Sequence, residues 1–76
     1  MPRVLSEDGF DFYIYFDDHN PPHVHVYKSG GEIRIEIETS KVMSQYGVNR
    51  QNVKKAKAMT TLNRVYLSAK WSKKNG

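Results

Sequence analysis

The chain reads as an α+β protein: a small antiparallel sheet of three to four strands, then a C-terminal helix packed on one face, with a bend or break expected near Thr60–Asn63. Three observations predict this. Apolar and polar residues alternate with period two through the front half, the pattern of half-buried strands. Turn signals punctuate that half at Asp8-Gly9 and Ser29-Gly30-Gly31. After Asn49 the apolar residues change to helical spacing. The 76 residues are expected to form a single domain, 1–76, small enough to be marginal alone and to benefit from a partner or a homodimer.

Arg3-Val4-Leu5 is a short first strand ahead of Asp8-Gly9. In the next run Phe10, Phe12, Ile14 and Phe16 alternate with Asp11, Tyr13, Tyr15 and Asp17. Asp17 to Pro22 form a connection stiffened by two prolines, which fix φ and remove donors. His23, His25 and Tyr27 then alternate with Val24 and Val26, and Glu32, Arg34, Glu36 and Glu38 with Ile33, Ile35 and Ile37. With Ser29-Gly30 as a two-residue loop the register follows. Val26 faces Ile33 and Val24 faces Ile35 on the core side, while His25 sits opposite Arg34 and His23 opposite Glu36. Pairing Phe16 with Val24 sets Tyr15 beside His25 and Tyr13 beside Tyr27. The outer face then carries the rows Tyr15–His25–Arg34 and Asp17–His23–Glu36, with neighbours about 4.5–5.5 Å apart. A one-residue slip would turn all of these inward, so the register is well specified.

Residues 39–49 read as turn, with a short strand at Lys41-Val42-Met43. Asn49 is the expected helix N-cap, and Val48 and Val53 stand at the positions of a hydrophobic staple. Met59, Leu62, Tyr66 and Ala69, joined by Ala58 and Val65, form the apolar arc expected to face the sheet. Val53, Leu67 and Trp71 lie off that arc, which is the reason to expect a bend.

Charge divides the chain. Residues 1–38 hold all eight acids and only Arg3, Lys28 and Arg34, a balance of −5; residues 39–76 hold nine Lys or Arg and no acid, a balance of +9. An acid-free basic half fits either a polyanion, nucleic acid or an acidic protein surface, or a solvated helix face with a frayed basic tail. Arg50, Lys54, Lys57 and Arg64 form its stripe along one side of an unbroken helix. The absence of cysteine excludes disulfides, thiolate catalysis and cysteine-based zinc sites. No apolar run approaches the roughly 20 residues of a membrane span. The residues Met1 to Asp8 contain no signal-peptide core, so a cytoplasmic protein with no membrane role is expected.

The most unusual local composition is Asp17-Asp18-His19-Asn20-Pro21-Pro22-His23-Val24-His25, which gathers all three histidines within seven positions. The string Phe16 to His25 resembles the signature of the small bacterial domain-of-unknown-function 4160 family, together with Met1-Pro2, Gly9-Phe10, the Ile33 to Ile37 strand and Trp71 near the end of a helix. The resemblance spans nearly the whole chain and implies antiparallel strands plus a helix. It implies little chemistry. Its gene context, beside another small gene, implies an arrangement like a toxin–antitoxin module, which is analogy and not mechanism. One departure stands out: the family's C-terminal helix usually mixes acids with bases, whereas here it holds no acid.

Several functions compete for these residues. In a metal-dependent enzyme His23 and His25, roughly 6.5–7 Å apart on one strand face, bracket an ion, with His19 or Asp17 completing the set. Confinement of all these ligands to one loop and strand weighs against that reading, and no cofactor is expected. In a metal-independent ribonuclease toxin His25, with His23 and Tyr15, supplies acid–base chemistry and Arg34 holds the phosphate. In a binding module Tyr13, Tyr15, Tyr27 and Arg34 contact a protein partner from the sheet, and Arg50, Lys54, Lys57 and Arg64 contact a polyanion from the helix. The binding module is the favoured reading, in a toxin–antitoxin-like or mobile-element setting. A small phage-type inhibitor of a host complex is a further alternative.

Overall fold

The computed structural model describes residues 3–15 and 19–75. Five strands form one antiparallel meander in the order β1-β2-β3-β4-β5. They are β1 (Arg3–Glu7), β2 (Phe10–Tyr13), β3 (His23–Lys28), β4 (Gly31–Glu36) and β5 (Val42–Tyr46), followed by helices α1 (Arg50–Leu62) and α2 (Arg64–Asn75). The expected α+β architecture is present. The expected count of three to four strands and one helix is corrected to five and two.

Both predicted hairpins close as the turn residues require. Glu7 pairs with Phe10 across Asp8-Gly9, and Lys28 with Gly31 across Ser29-Gly30. All four central residues have positive φ, 55° and 77° in the first turn, 50° and 84° in the second. Positive φ at both positions matches the twist of the flanking strands, which is why such two-residue loops are favoured. Between β3 and β4 the register is the expected one: His23 faces Glu36, Val24 Ile35, His25 Arg34 and Val26 Ile33.

Between β2 and β3 the register is two residues from the expectation. Tyr13, not Tyr15, stands opposite His25, and Phe12 opposite Val26. A slip of two keeps every side chain on its face, so the burial pattern did not distinguish the two registers. The strand missed in the count is β5. It was read as a short run at Lys41–Met43 because Val42–Tyr46 carries no clean alternation. It is an edge strand with a register irregularity at Arg34/Ile35, where alternation is not enforced. Gly31 is required there, since a Cβ would run into the carbonyls of Tyr46 and Gly47.

The core lies on one side of the sheet. Phe12, Ile14, Val24, Val26, Ile33, Ile35 and Ile37 are fully buried, joined by Phe10 and by Ala56, Leu67 and Trp71 from the helices. Val48 and Val53 pack against this cluster at either side of the cap, and the Asn49 side chain accepts from the Asn52 N–H at 2.8 Å. The expected arc is overturned in part: Met59 packs against the core, but the arc does not face the sheet as a whole. Leu62 and Val65 are 86% and 85% exposed, and the buried helix face runs instead through Ala56, Thr60, Leu67 and Trp71. Thr60 is compatible with the core because its hydroxyl donates to the Ala56 carbonyl one turn back, at 2.8 Å. The break falls at Asn63, within the expected interval. Its side-chain amide donates to the Met59 carbonyl at 2.8 Å, and its backbone sits at φ −106°, ψ 20°. Helical bonding continues across it, from Asn63 N–H to Met59 and from Leu67 N–H to the Asn63 carbonyl. The helices are therefore two segments of one kinked rod.

Candidate functional site

The other sheet face gathers the polar residues of three strands. Tyr13 and Tyr15 come from β2 and its extension, His23, His25 and Tyr27 from β3, Glu32 and Arg34 from β4. Their side chains form a packed sequence of rings. Tyr13 stacks on Tyr15 at 5.9 Å between centroids and meets Tyr27 edge-on at 5.2 Å. Tyr15 meets His25 edge-on at 4.7 Å, and His25 lies 5.1 Å from His23. Offset and edge-to-face arrangements of this kind are the favourable ones for aromatic quadrupoles. The Tyr13–Tyr27 and Tyr15–His25 neighbours inferred from sequence therefore meet as rings, although the backbone register differs.

Polar contacts fix these rings. Tyr15 and Tyr27 share a hydroxyl–hydroxyl hydrogen bond of 2.8 Å. His25 Nδ1 lies 2.8 Å from Glu32 Oε2. A carboxylate only accepts, so Nδ1–H donates. His23 Nδ1 likewise donates to the Pro21 carbonyl at 2.8 Å. Both histidines are thus held through Nδ1, which sets their tautomer when neutral. Burial, then the hydrogen bond with Tyr15, then the negative charge of Glu32 push Tyr27 well above the usual phenol range. Tyr27 stays a neutral donor or acceptor at any physiological pH.

Glu32 is the residue that sequence reasoning missed. It lies directly opposite Tyr27 and diagonal to His25, a contact that direct ladder pairs do not reveal. Diagonal neighbours are within reach of long side chains. Arg34 is opposite His25 in the ladder, yet its guanidinium turns away and donates to Ser44 on β5 at 2.9 Å. In register the row is Tyr13–His25–Arg34 and not the expected Tyr15–His25–Arg34; Tyr15 reaches His25 only as a ring, and the histidine and the cation are not turned toward one another. His23, expected on an open face, is buried, with Trp71 of α2 at 5.5 Å. Tyr46, exposed at the edge of β5 opposite Glu32, joins the face unforeseen.

Among the described residues, no three His, Asp or Glu side chains gather as a metal site. His19 is exposed, and Asp17 lies outside the described residues. On the helices Arg50, Lys54, Lys57 and Arg64 are all exposed. The first three lie on α1, and Arg64 opens α2 beyond the kink. Among the described residues no helix is long and apolar enough to cross a membrane.

A family model matches residues 9–72. The chain belongs to the family Domain of unknown function (DUF4160). No curated protein and no solved structure matches it. The family match covers β2 through most of α2, and so includes both the aromatic face and the basic helices.

Proposed function

We propose that this protein is a small binding module that acts in the cytoplasm through a macromolecular partner, as one member of a two-component module of the toxin–antitoxin or mobile-element kind. The observation that carries the reading is the tyrosine-rich sheet face on the side opposite the core. Its rings brace one another and share hydrogen bonds, so little side-chain freedom is lost when a partner docks. Tyrosine and arginine are also the residues that interfaces favour. A protein partner fits this face better than nucleic acid does, because the acids of the front half, Asp11, Glu32 and Glu36 among them, repel phosphate. The basic helices supply the complementary electrostatic contact.

Affinity purification of the tagged protein from its own cells, with identification of what co-purifies, tests this. Tyr13→Ala with Tyr46→Ala is expected to release the partner that wild type retains. Retention of every co-purifying protein by that variant would remove the sheet face from the reading.

A second reading, a metal-independent ribonuclease, draws support from the Glu32–His25 pair, since a carboxylate that orients an imidazole is a general-base arrangement. Against it, His25 is only 12% exposed and Arg34 is engaged with Ser44. Incubation of RNA with wild type in excess EDTA is expected to give no turnover. Cleavage by wild type that disappears in His25→Ala would replace the binding reading with this one.

A further inference from the structure

The kinked helix rod carries an exposed apolar seam that is not part of the core formed by the described residues. Ala58, Leu62, Val65 and Ala69 are all exposed, and they follow one another at spacings of four, three and four. That is the a/d spacing of a helix seam that packs against another helix. At 3.6 residues per turn it lies about 180° from the buried stripe of Ala56, Thr60, Leu67 and Trp71. The helical bonds that continue through Asn63 carry the seam from α1 into α2.

The rim decides what can cover it. Lys54 and Lys55 flank the seam in the turn before it and Lys73 in the turn after, about 50° to either side, and all three are exposed. From Thr39 to the end the chain has no acid to neutralise them. A second copy of the same rod would bring like charges against one another along the whole contact. An anionic membrane would suit the charge. Helices that lie in a membrane surface, however, present Trp, Phe and Leu together, whereas here the only tryptophan is buried in the core and Phe10 and Phe12 are buried in the sheet. Two alanines with one leucine and one valine make a shallow seam, shaped for side chains of a helix and not for insertion into lipid.

We propose that the outward face of α1 and α2 is a docking site for an acidic amphipathic helix of the partner protein. Apolar residues of that helix pack onto Leu62 and Val65, and its flanking carboxylates pair with Lys54, Lys55 and Lys73. This rests on the binding-module reading and names a second surface for it. The two are separable, because the sheet face and the rod have different variants.

The test uses the intact protein and a labelled synthetic helical peptide with Leu on its seam and Glu on its flanks. Controls are the same peptide with Lys in place of Glu, and vesicles of phosphatidylcholine with phosphatidylglycerol. The acidic peptide is expected to bind one to one and to weaken steeply with salt. Leu62→Ser with Val65→Ser should lower its affinity about tenfold or more, since two apolar contacts are lost. Lys54→Gln, Lys55→Gln and Lys73→Gln together should flatten the salt dependence. Tyr13→Ala with Tyr46→Ala should leave peptide binding unchanged. All are exposed positions except the half-buried Tyr13, and an unchanged melting temperature shows that the fold is intact. Equal binding of the Lys peptide, or full affinity in the double Ser variant, would overturn the proposal. So would binding of vesicles without binding of peptide, or a dimer in sedimentation that Leu62→Ser with Val65→Ser dissolves.

Discussion

In the sheet the described side chains of β2, β3 and β4 follow the alternation, except that His23 on the polar side is buried, whereas in the helix rod Leu62 and Val65 of the expected apolar arc face outward. Ile33 and Ile35 are fully buried while Glu32 and Arg34 between and beside them are not. Along the rod, Leu62 and Val65 are exposed and Thr60 is fully buried. A strand has two faces and its ladder partners hold it in register, so a period-two pattern has one consistent solution. A helix can rotate about its axis, and an apolar stripe can serve a partner as readily as its own core. The largest effect expected from this contrast comes from two leucines of one rod. Leu67→Ala should cost about 2–5 kcal/mol, as for other fully buried leucines. Leu62→Ala, five residues earlier, should stay within about 0.5 kcal/mol. Urea melts of the two variants measure both. Similar losses in both would mean that the rod is rotated from the orientation described.

The residues show where legibility ended. Asp8-Gly9 and Ser29-Gly30 could be read because few residue pairs tolerate positive φ twice in succession. The pairing of β3 with β4 followed from that loop. The cap at Asn49 was visible because a short polar side chain stood just ahead of the helical spacing. Three features were not legible. The two-residue difference between β2 and β3 leaves both faces unchanged, and no two-residue loop pins it. The strand β5 shows in the sequence only as the short run Lys41–Met43, because it lies at an edge where neither face is enforced. The Glu32–His25 contact is diagonal, and a map of direct pairs assigned His25 to Arg34 instead.

The buried helix stripe was missed for a different reason. Val53, Ala56, Thr60, Asn63, Leu67 and Trp71 keep helical spacing, but two of them are polar. Each satisfies itself inside the rod: Thr60 through the Ala56 carbonyl, Asn63 through the Met59 carbonyl. A threonine bonded this way presents its methyl to the core and acts as an apolar residue. Thr60→Val should therefore stay within about 0.5 kcal/mol of wild type, because the Ala56 carbonyl keeps its helical partner. Thr60→Ala should cost about 1 kcal/mol for the lost buried methyl. Chemical denaturation of the pair decides the matter. If Val is much worse than Ala, the hydroxyl has a role beyond its own turn and the stripe is not apolar in effect.

The smallest effect, silent at neutral pH, belongs to the face opposite that stripe. Burial, the Tyr15 hydroxyl and the Glu32 charge all favour the neutral phenol of Tyr27, which raises its pKa in the folded state. In the unfolded chain the phenol titrates at about 10. Below that pH both states hold the proton and stability does not depend on this group. As pH rises above about 10 the unfolded chain releases the proton while the folded chain keeps it, so folding stability falls. Tyr27→Phe removes the titrating group, and its stability should decline less steeply over the same alkaline range. A spectroscopic reading is independent of unfolding. A component of the tyrosine absorbance should resist ionisation in folded wild type, and that component should vanish in Tyr27→Phe. If no resistant component is seen in the folded protein, the Tyr15–Tyr27–Glu32 cluster is not closed as described, and the tyrosine face is looser than a preformed docking surface requires.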